Sequence, residues 1–181
     1  QQLADRNEIA HFVRRLSLLT GLPISTTDRS AVANFHVLVL AEDERRAAGP
    51  LLKELSPQMD PVALRSITEM PRTTYCTVVA LSPPASDAYI QAVAVIRSEH
   101  PDRLRLSCFH EELAQAMGLA NDSPAARPSI FNDDEEFALL TSQDEMMLRI
   151  LYDRRLRPGM TEAEARPIVE TIAAELIGGE S

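Results

Sequence analysis

The feature that most constrains the fold is a pair of neighbouring apolar runs in the middle of the chain. Residues 74–82 (TYCTVVALS) and 89–98 (YIQAVAVIRS) are rich in β-branched side chains, which favour strands. A loop around Pro83 and Pro84 separates them. The two runs therefore predict a β-hairpin, and a similar run at residues 33–43 predicts a third strand.

Segments with helical periodicity precede and follow these strands in the sequence. The predicted helices cover residues 5–19, 44–55, 60–70, 102–119, 142–152 and 161–177. Internal repeats and a break in composition are absent from the sequence. The pattern predicts one α+β domain over residues 1–181, in which a mixed sheet packs on helices. An upper part would span about 1–120 and a helical C-terminal part about 121–181.

Composition excludes several classes of function. The 181 residues are 45% hydrophobic and 25% charged, which is enough for a hydrophobic core. The formal net charge of −9 argues against a nucleic-acid-binding surface. The sequence lacks an apolar run of the roughly 18 residues that a transmembrane helix needs. Two cysteines, Cys76 and Cys108, are either buried thiols or a disulfide, and their spacing leaves both open.

The helix predicted at residues 102–119 carries the candidate site. At 100° per residue, its two faces separate into a polar set and an apolar set. The polar face carries Glu111, Glu112 and Gln115, and the apolar face carries Phe109, Leu113 and Met117. Gly118 ends the helix and allows the chain to turn, so that Asn121 or Asp122 returns towards the polar face. A helical metal site requires this arrangement of two ligands one turn apart, a base and a third ligand.

The segment EELAQAMGLAND resembles the zinc signature HExxHxxGxxH of the metzincin metallopeptidases, followed by Asp. In this alignment Glu111, Gln115 and Asn121 stand at the three histidines, Glu112 at the general base and Gly118 at the glycine. Downstream, SIFND resembles the Met-turn S-x-M-x-Y, with Phe131 in place of methionine and Asp133 in place of tyrosine. The resemblance implies a zincin-like or metzincin-like domain whose metal histidines have been lost.

The same segment is similar to a proteobacterial family of unknown function, some of whose members are described as candidate lipoproteins. Its motif Cys-x-x-Glu-Glu-x-x-Gln, with a following Gly-Leu and Asn-Asp, is matched from Cys108 to Asp122. This resemblance implies an exported protein, periplasmic or associated with the outer membrane, with a lipid anchor upstream. Export would favour a disulfide between Cys76 and Cys108.

The departures from the zinc signature determine the expected chemistry. Glu111, Gln115 and Asn121 offer one carboxylate and two amide oxygens, which cannot replace imidazole ligands for zinc. His110 lies on the apolar edge of the helix and is interpreted as a partly buried structural histidine. We therefore expect neither a metal nor another cofactor.

Three interpretations remain. The first is a non-catalytic binding module, a pseudo-peptidase whose cleft binds an envelope protein, a peptide or a glycan. In the second, the domain is a hydrolase that uses Glu112 as general base with an unusual metal or none. In the third, the polar face only hydrogen-bonds to the loop that follows.

The motif also predicts an electrostatic conflict. Glu111, Glu112 and Asp122 would repel one another, so one should be protonated or a cation should neutralise them. Arg127, in the following loop, is the nearest positive side chain in the sequence and is expected to pair with a motif carboxylate. The acidic run at residues 133–136 lacks the pattern of a calcium loop and is interpreted as a solvated turn.

Overall fold

The computed structural model describes residues 1–132 and 136–179. The helices are α1 (Gln2–Thr20), α2 (Glu42–Arg46), α3 (Gly49–Leu55), α4 (Pro61–Thr68), α5 (Asp102–Ala116), α6 (Ser142–Leu151) and α7 (Glu162–Gly179). The strands are β1 (Phe35–Leu40), β2 (Cys76–Leu81) and β3 (Gln91–Arg97). The predicted acidic turn at 133–136 lies outside the described residues except for Glu136.

The three strands form one sheet in the order β1-β3-β2. β3 pairs antiparallel with β2 and parallel with β1, so the predicted hairpin and the mixed sheet are both confirmed. A parallel pair needs a crossover connection. Here α2, α3, α4 and β2 lie between β1 and β3 in the chain.

Helices cover both faces of the sheet. On one face, Cys76 and Val78 of β2 pack with Phe109 of α5. On the other face, Leu52 of α3 and Ile67 of α4 pack against the sheet, and both are completely buried. A third cluster joins α1, α5 and α6. Helices and sheet form one α+β domain, and none of the described helices is both long and apolar enough to cross a membrane.

The predicted helix at 44–55 is wrong as a single element, because the structure divides it into α2 and α3. Arg45 is fully buried, and its guanidinium donates to the carbonyl oxygens of Ile67 and Thr68 at the end of α4. Pro50 lies in the first turn of α3, where its missing N–H costs nothing. The buried arginine fixes α2 against α4, and the chain begins a new helix after it.

The apolar face of α5 packs on two parts of the core. Phe109 contacts the sheet. Leu113 packs with Phe12 of α1 and Leu148 of α6, and Met117 lies at the edge of this cluster. The C-terminal half of α5 therefore lies mainly between helices, and its other side faces a groove.

Candidate ligand-binding groove

A cavity of about 670 Å³ lies between β2, α5 and the loop that follows α5. This volume is within the range of small-ligand sites. Residues 73–78 form the strand side of the groove. Glu111, Glu112 and Gln115 lie on the helix side, and Asp122 and Asn132 belong to the loop. The structure thus brings most of the sequence-predicted site residues to one cavity.

The strand side of the groove is an edge of the sheet, to which no further strand pairs among the described residues. Among the described residues, β2 pairs with β3 alone. The Arg97 amide donates to the Tyr75 carbonyl across this pair, and ladder bonds alternate along an antiparallel strand. Hence the backbone groups of Cys76 and Val78 point away from β3 and towards the open edge. Both residues line the groove.

A disulfide joins Cys76 of β2 to Cys108 of α5, as the family resemblance implied. The two Cα atoms are 5.9 Å apart. The bond fixes the start of β2 against the middle of α5, immediately beside Glu111 and Glu112. It therefore fixes the spacing between the two walls of the groove.

Glu112 is the most unusual side chain of the site. It is only 4% exposed, and none of the described residues makes a hydrogen bond with its Oε2 atom. Burial, together with the negative charges of Glu111 and Asp122, raises the pKa of Glu112 to about 9. The carboxyl group is therefore neutral at pH 7. This fits the expectation that one of the motif's acidic groups is protonated.

The other motif residues differ in how closely they approach the groove. Gln115 donates from Nε2 to Oδ1 of Asp122 at 3.0 Å, so the Gly118 turn does bring Asp122 back to the helix. Glu111 is half-buried on the groove wall. Asn121, at the position of the third histidine, is exposed and is absent from the described lining of the cavity.

The donor set does not fit a catalytic zinc ion. The Sγ atom of Cys76 and carboxylate oxygens of Glu111 and Glu112 lie within 4.8 Å of one another. In the disulfide, however, Cys76 is not a thiolate, and thiolate is the form of cysteine that binds zinc. Two adjacent carboxyl groups remain, one of them neutral, and they provide no imidazole.

Zinc is therefore expected to leave the melting temperature unchanged. A ligand present at 100 times its Kd would stabilise the native state by about 2.7 kcal/mol, which a thermal melt detects readily. The melt should be recorded with and without excess zinc and without reductant, so that Cys76 stays bonded. A large zinc-dependent rise would contradict this prediction and favour the peptidase interpretation.

His110 has a structural environment, in agreement with its interpretation from sequence. Its ring stacks on Phe12 with centroids 4.0 Å apart. Its Nδ1 atom accepts a hydrogen bond from the Leu140 amide at 3.2 Å. Burial lowers the pKa of His110 to about 4, so the ring is neutral at pH 7. His110 therefore links α5 to α1 and to the segment before α6.

Arg127 was expected to pair with a carboxylate of the motif, but its described ion pair is with Glu136. Arg127 donates to Glu136 at 2.6 Å, and both side chains are exposed. Arg127 is exposed in its loop, and the described lining of the groove does not include it.

Asp144 holds this loop in place, a role that sequence reasoning missed. It is fully buried at the start of α6 and accepts hydrogen bonds from the Ser129 hydroxyl and the Ile130 amide. It also caps its own helix by accepting from the Thr141 amide. The capping pattern Thr-x-x-Asp was visible in the sequence. The long-range contacts with residues 129 and 130 were not.

Comparison with known proteins gives a family assignment. Residues 1–171 match the family described as "Protein of unknown function (DUF2927)". No curated protein and no solved structure matches the chain.

Proposed function

The chain belongs to the family of proteins of unknown function DUF2927, and we propose that it is a non-catalytic peptide-binding module of the bacterial cell envelope. In this proposal a metzincin-like scaffold has lost its zinc histidines and keeps its cleft for binding. The protein would act in the periplasm or at the outer membrane of a proteobacterium, and a lipid anchor upstream of this chain would hold it there.

The observation that carries this proposal is the edge of β2 on the groove, which no other described strand covers. An extended peptide can add to such an edge as a further strand, since the outward backbone groups of Cys76 and Val78 offer donors and acceptors. Exposed edges of this kind invite pairing, and proteins usually block them. A peptide uses these groups more fully than a glycan, which has no regular backbone amides.

The protonation state of Glu112 supports binding over hydrolysis. A general base must accept a proton at the working pH. With a pKa of about 9, the Glu112 carboxyl group already carries its proton at pH 7. The alternative of a hydrolase with Glu112 as general base is therefore less well supported.

The disulfide supports the proposed location. Disulfides persist in oxidising compartments such as the bacterial periplasm and are rare in the cytosol. All cysteines of the chain, Cys76 and Cys108, are used in this bond.

The test is an N-methyl scan of a bound peptide. Heptapeptides with blocked ends are selected from a random library on the immobilised protein, and each amide of a selected binder is then methylated in turn. Because alternate amides of an added strand point towards β2, methylation at every second position should weaken binding about tenfold or more. The intervening positions should tolerate the methyl group.

A matched pair of variants locates the binding. Ser107→Trp places a large side chain in the groove and should abolish binding, because Ser107 lines the cavity. Ser66→Trp makes the same change at an exposed position of α4, outside the groove, and should leave binding unchanged. Addition to β2 would be refuted if the loss of affinity on N-methylation did not recur at every second position of the peptide. It would also be refuted if Ser107→Trp and Ser66→Trp changed binding equally.

A further inference from the structure

The side chains of a strand added to β2 would alternate between the two faces of the sheet. Residues directly opposite each other on paired strands direct their side chains to the same face. The side chains of Cys76 and Val78 point towards α5. A peptide residue opposite Cys76 would therefore direct its side chain towards α5 as well.

The surroundings of that position are acidic. Carboxylate oxygens of Glu111 and Glu112 lie within 4.8 Å of the Cys76 sulfur and of each other. Opposite residues on neighbouring strands have Cβ atoms about 5 Å apart, so a side chain opposite Cys76 can reach both carboxyl groups. Asp122 lies on the same cavity and is close enough to act on the pKa of Glu112.

The balance of charge favours a cation. The described lining of the groove includes the negative groups of Glu111 and Asp122 beside the neutral carboxyl group of Glu112, against the single guanidinium of Arg103. Arg103 is exposed at the other end of α5. In addition, the buried Oε2 of Glu112 accepts no hydrogen bond from any described residue, which is costly unless a ligand supplies a donor.

We infer that the groove selects an extended peptide that carries arginine or lysine at the position opposite Cys76. This inference rests on the proposed peptide-binding function and names its ligand class. The basic side chain enters between Glu111 and Glu112 and donates to the carboxylate of Glu111 and to the buried Oε2 of the neutral Glu112. Such charge-assisted bonds are the strong ones, and arginine can bind two oxygens at once.

Replacement of arginine by citrulline is the direct test. Citrulline has nearly the same shape and no charge. Binders from the heptapeptide library should carry arginine or lysine at one fixed position. Exchange of that residue for citrulline should weaken binding about tenfold or more, as expected for loss of a charged hydrogen bond. In the double variant Glu111→Gln and Glu112→Gln, the arginine and citrulline peptides should bind equally.

Glu54→Gln is the matched control. Glu54 is exposed on α3, which covers the opposite face of the sheet, so the preference for arginine should persist in this variant. Circular dichroism of each variant checks that the fold is retained. A double variant that keeps the full preference for arginine would overturn the inference.

The remaining outcomes separate the inference from the proposed function. Binders that show the two-residue N-methyl period but no preference for a basic residue would overturn the inference and leave the function intact. Failure to recover any groove-dependent binder would refute both. Binding that EDTA abolishes would assign the carboxyl groups to a divalent cation and would overturn the inference as well.

Discussion

Glu112→Gln is expected to raise the free energy of unfolding at pH 7 by about 3 kcal/mol. The folded-state pKa of Glu112 is about 9, against an ordinary value of 4.5. Between these two values the unfolded chain releases its proton and the folded chain retains it. Stability therefore falls as the pH rises through this window, by about 1.4 kcal/mol per pH unit. Glutamine has almost the same shape and does not titrate.

Urea unfolding of both proteins at pH 5, 7 and 8.5 measures this effect. The two should differ little at pH 5, and the advantage of the variant should grow steadily towards pH 8.5. Glu54→Gln serves as control, because Glu54 is exposed and its replacement should not change the pH dependence. An advantage of Glu112→Gln that is the same at pH 5 and at pH 8.5 would show that Glu112 is ionised in the native state.

Loss of the disulfide is expected to lower the free energy of unfolding by about 3 kcal/mol. The bond joins residues 32 positions apart, and its removal lets the unfolded chain explore many more conformations. The double variant Cys76→Ala and Cys108→Ala should show this loss in urea unfolding. Reductant should destabilise the natural protein by a similar amount and leave the variant unaffected.

A chemical assay accompanies that measurement. Thiol labelling of the unfolded, unreduced protein should find no reactive cysteine, because Cys76 and Cys108 are bonded. Two labelled cysteines per chain would show that the bond does not form under the conditions of purification.

Local sequence patterns were sufficient to predict most of the secondary structure. Asp60 caps α4 by accepting from the amides of Val62 and Ala63, as its place before Pro61 indicated. Thr161 and Glu164 form a capping box at the start of α7, as the Thr-x-x-Glu spacing indicates. These predictions succeed because each depends on atoms only a few residues apart in the chain.

The break between α2 and α3 was not predictable in this way. The periodicity of residues 44–55 fits one helix, and Arg45 is of a type that is almost never fully buried without partners. Its partners are carbonyl groups more than 20 positions away in the chain, at the end of α4. A contact of that kind exists only once the helices have packed together.

The sequence by itself determined the α+β elements, the hairpin, and the side of α5 on which the motif lies. Only the tertiary structure decided that Glu112 is buried and neutral, that Asn121 stays outside the groove, and that Arg127 pairs with Glu136. The physical reason is that helical periodicity determines only the direction in which a side chain points around the axis of its helix. Its depth, and so its pKa, depends on which distant segments cover it, here β2 with its disulfide and the loop that Asp144 holds.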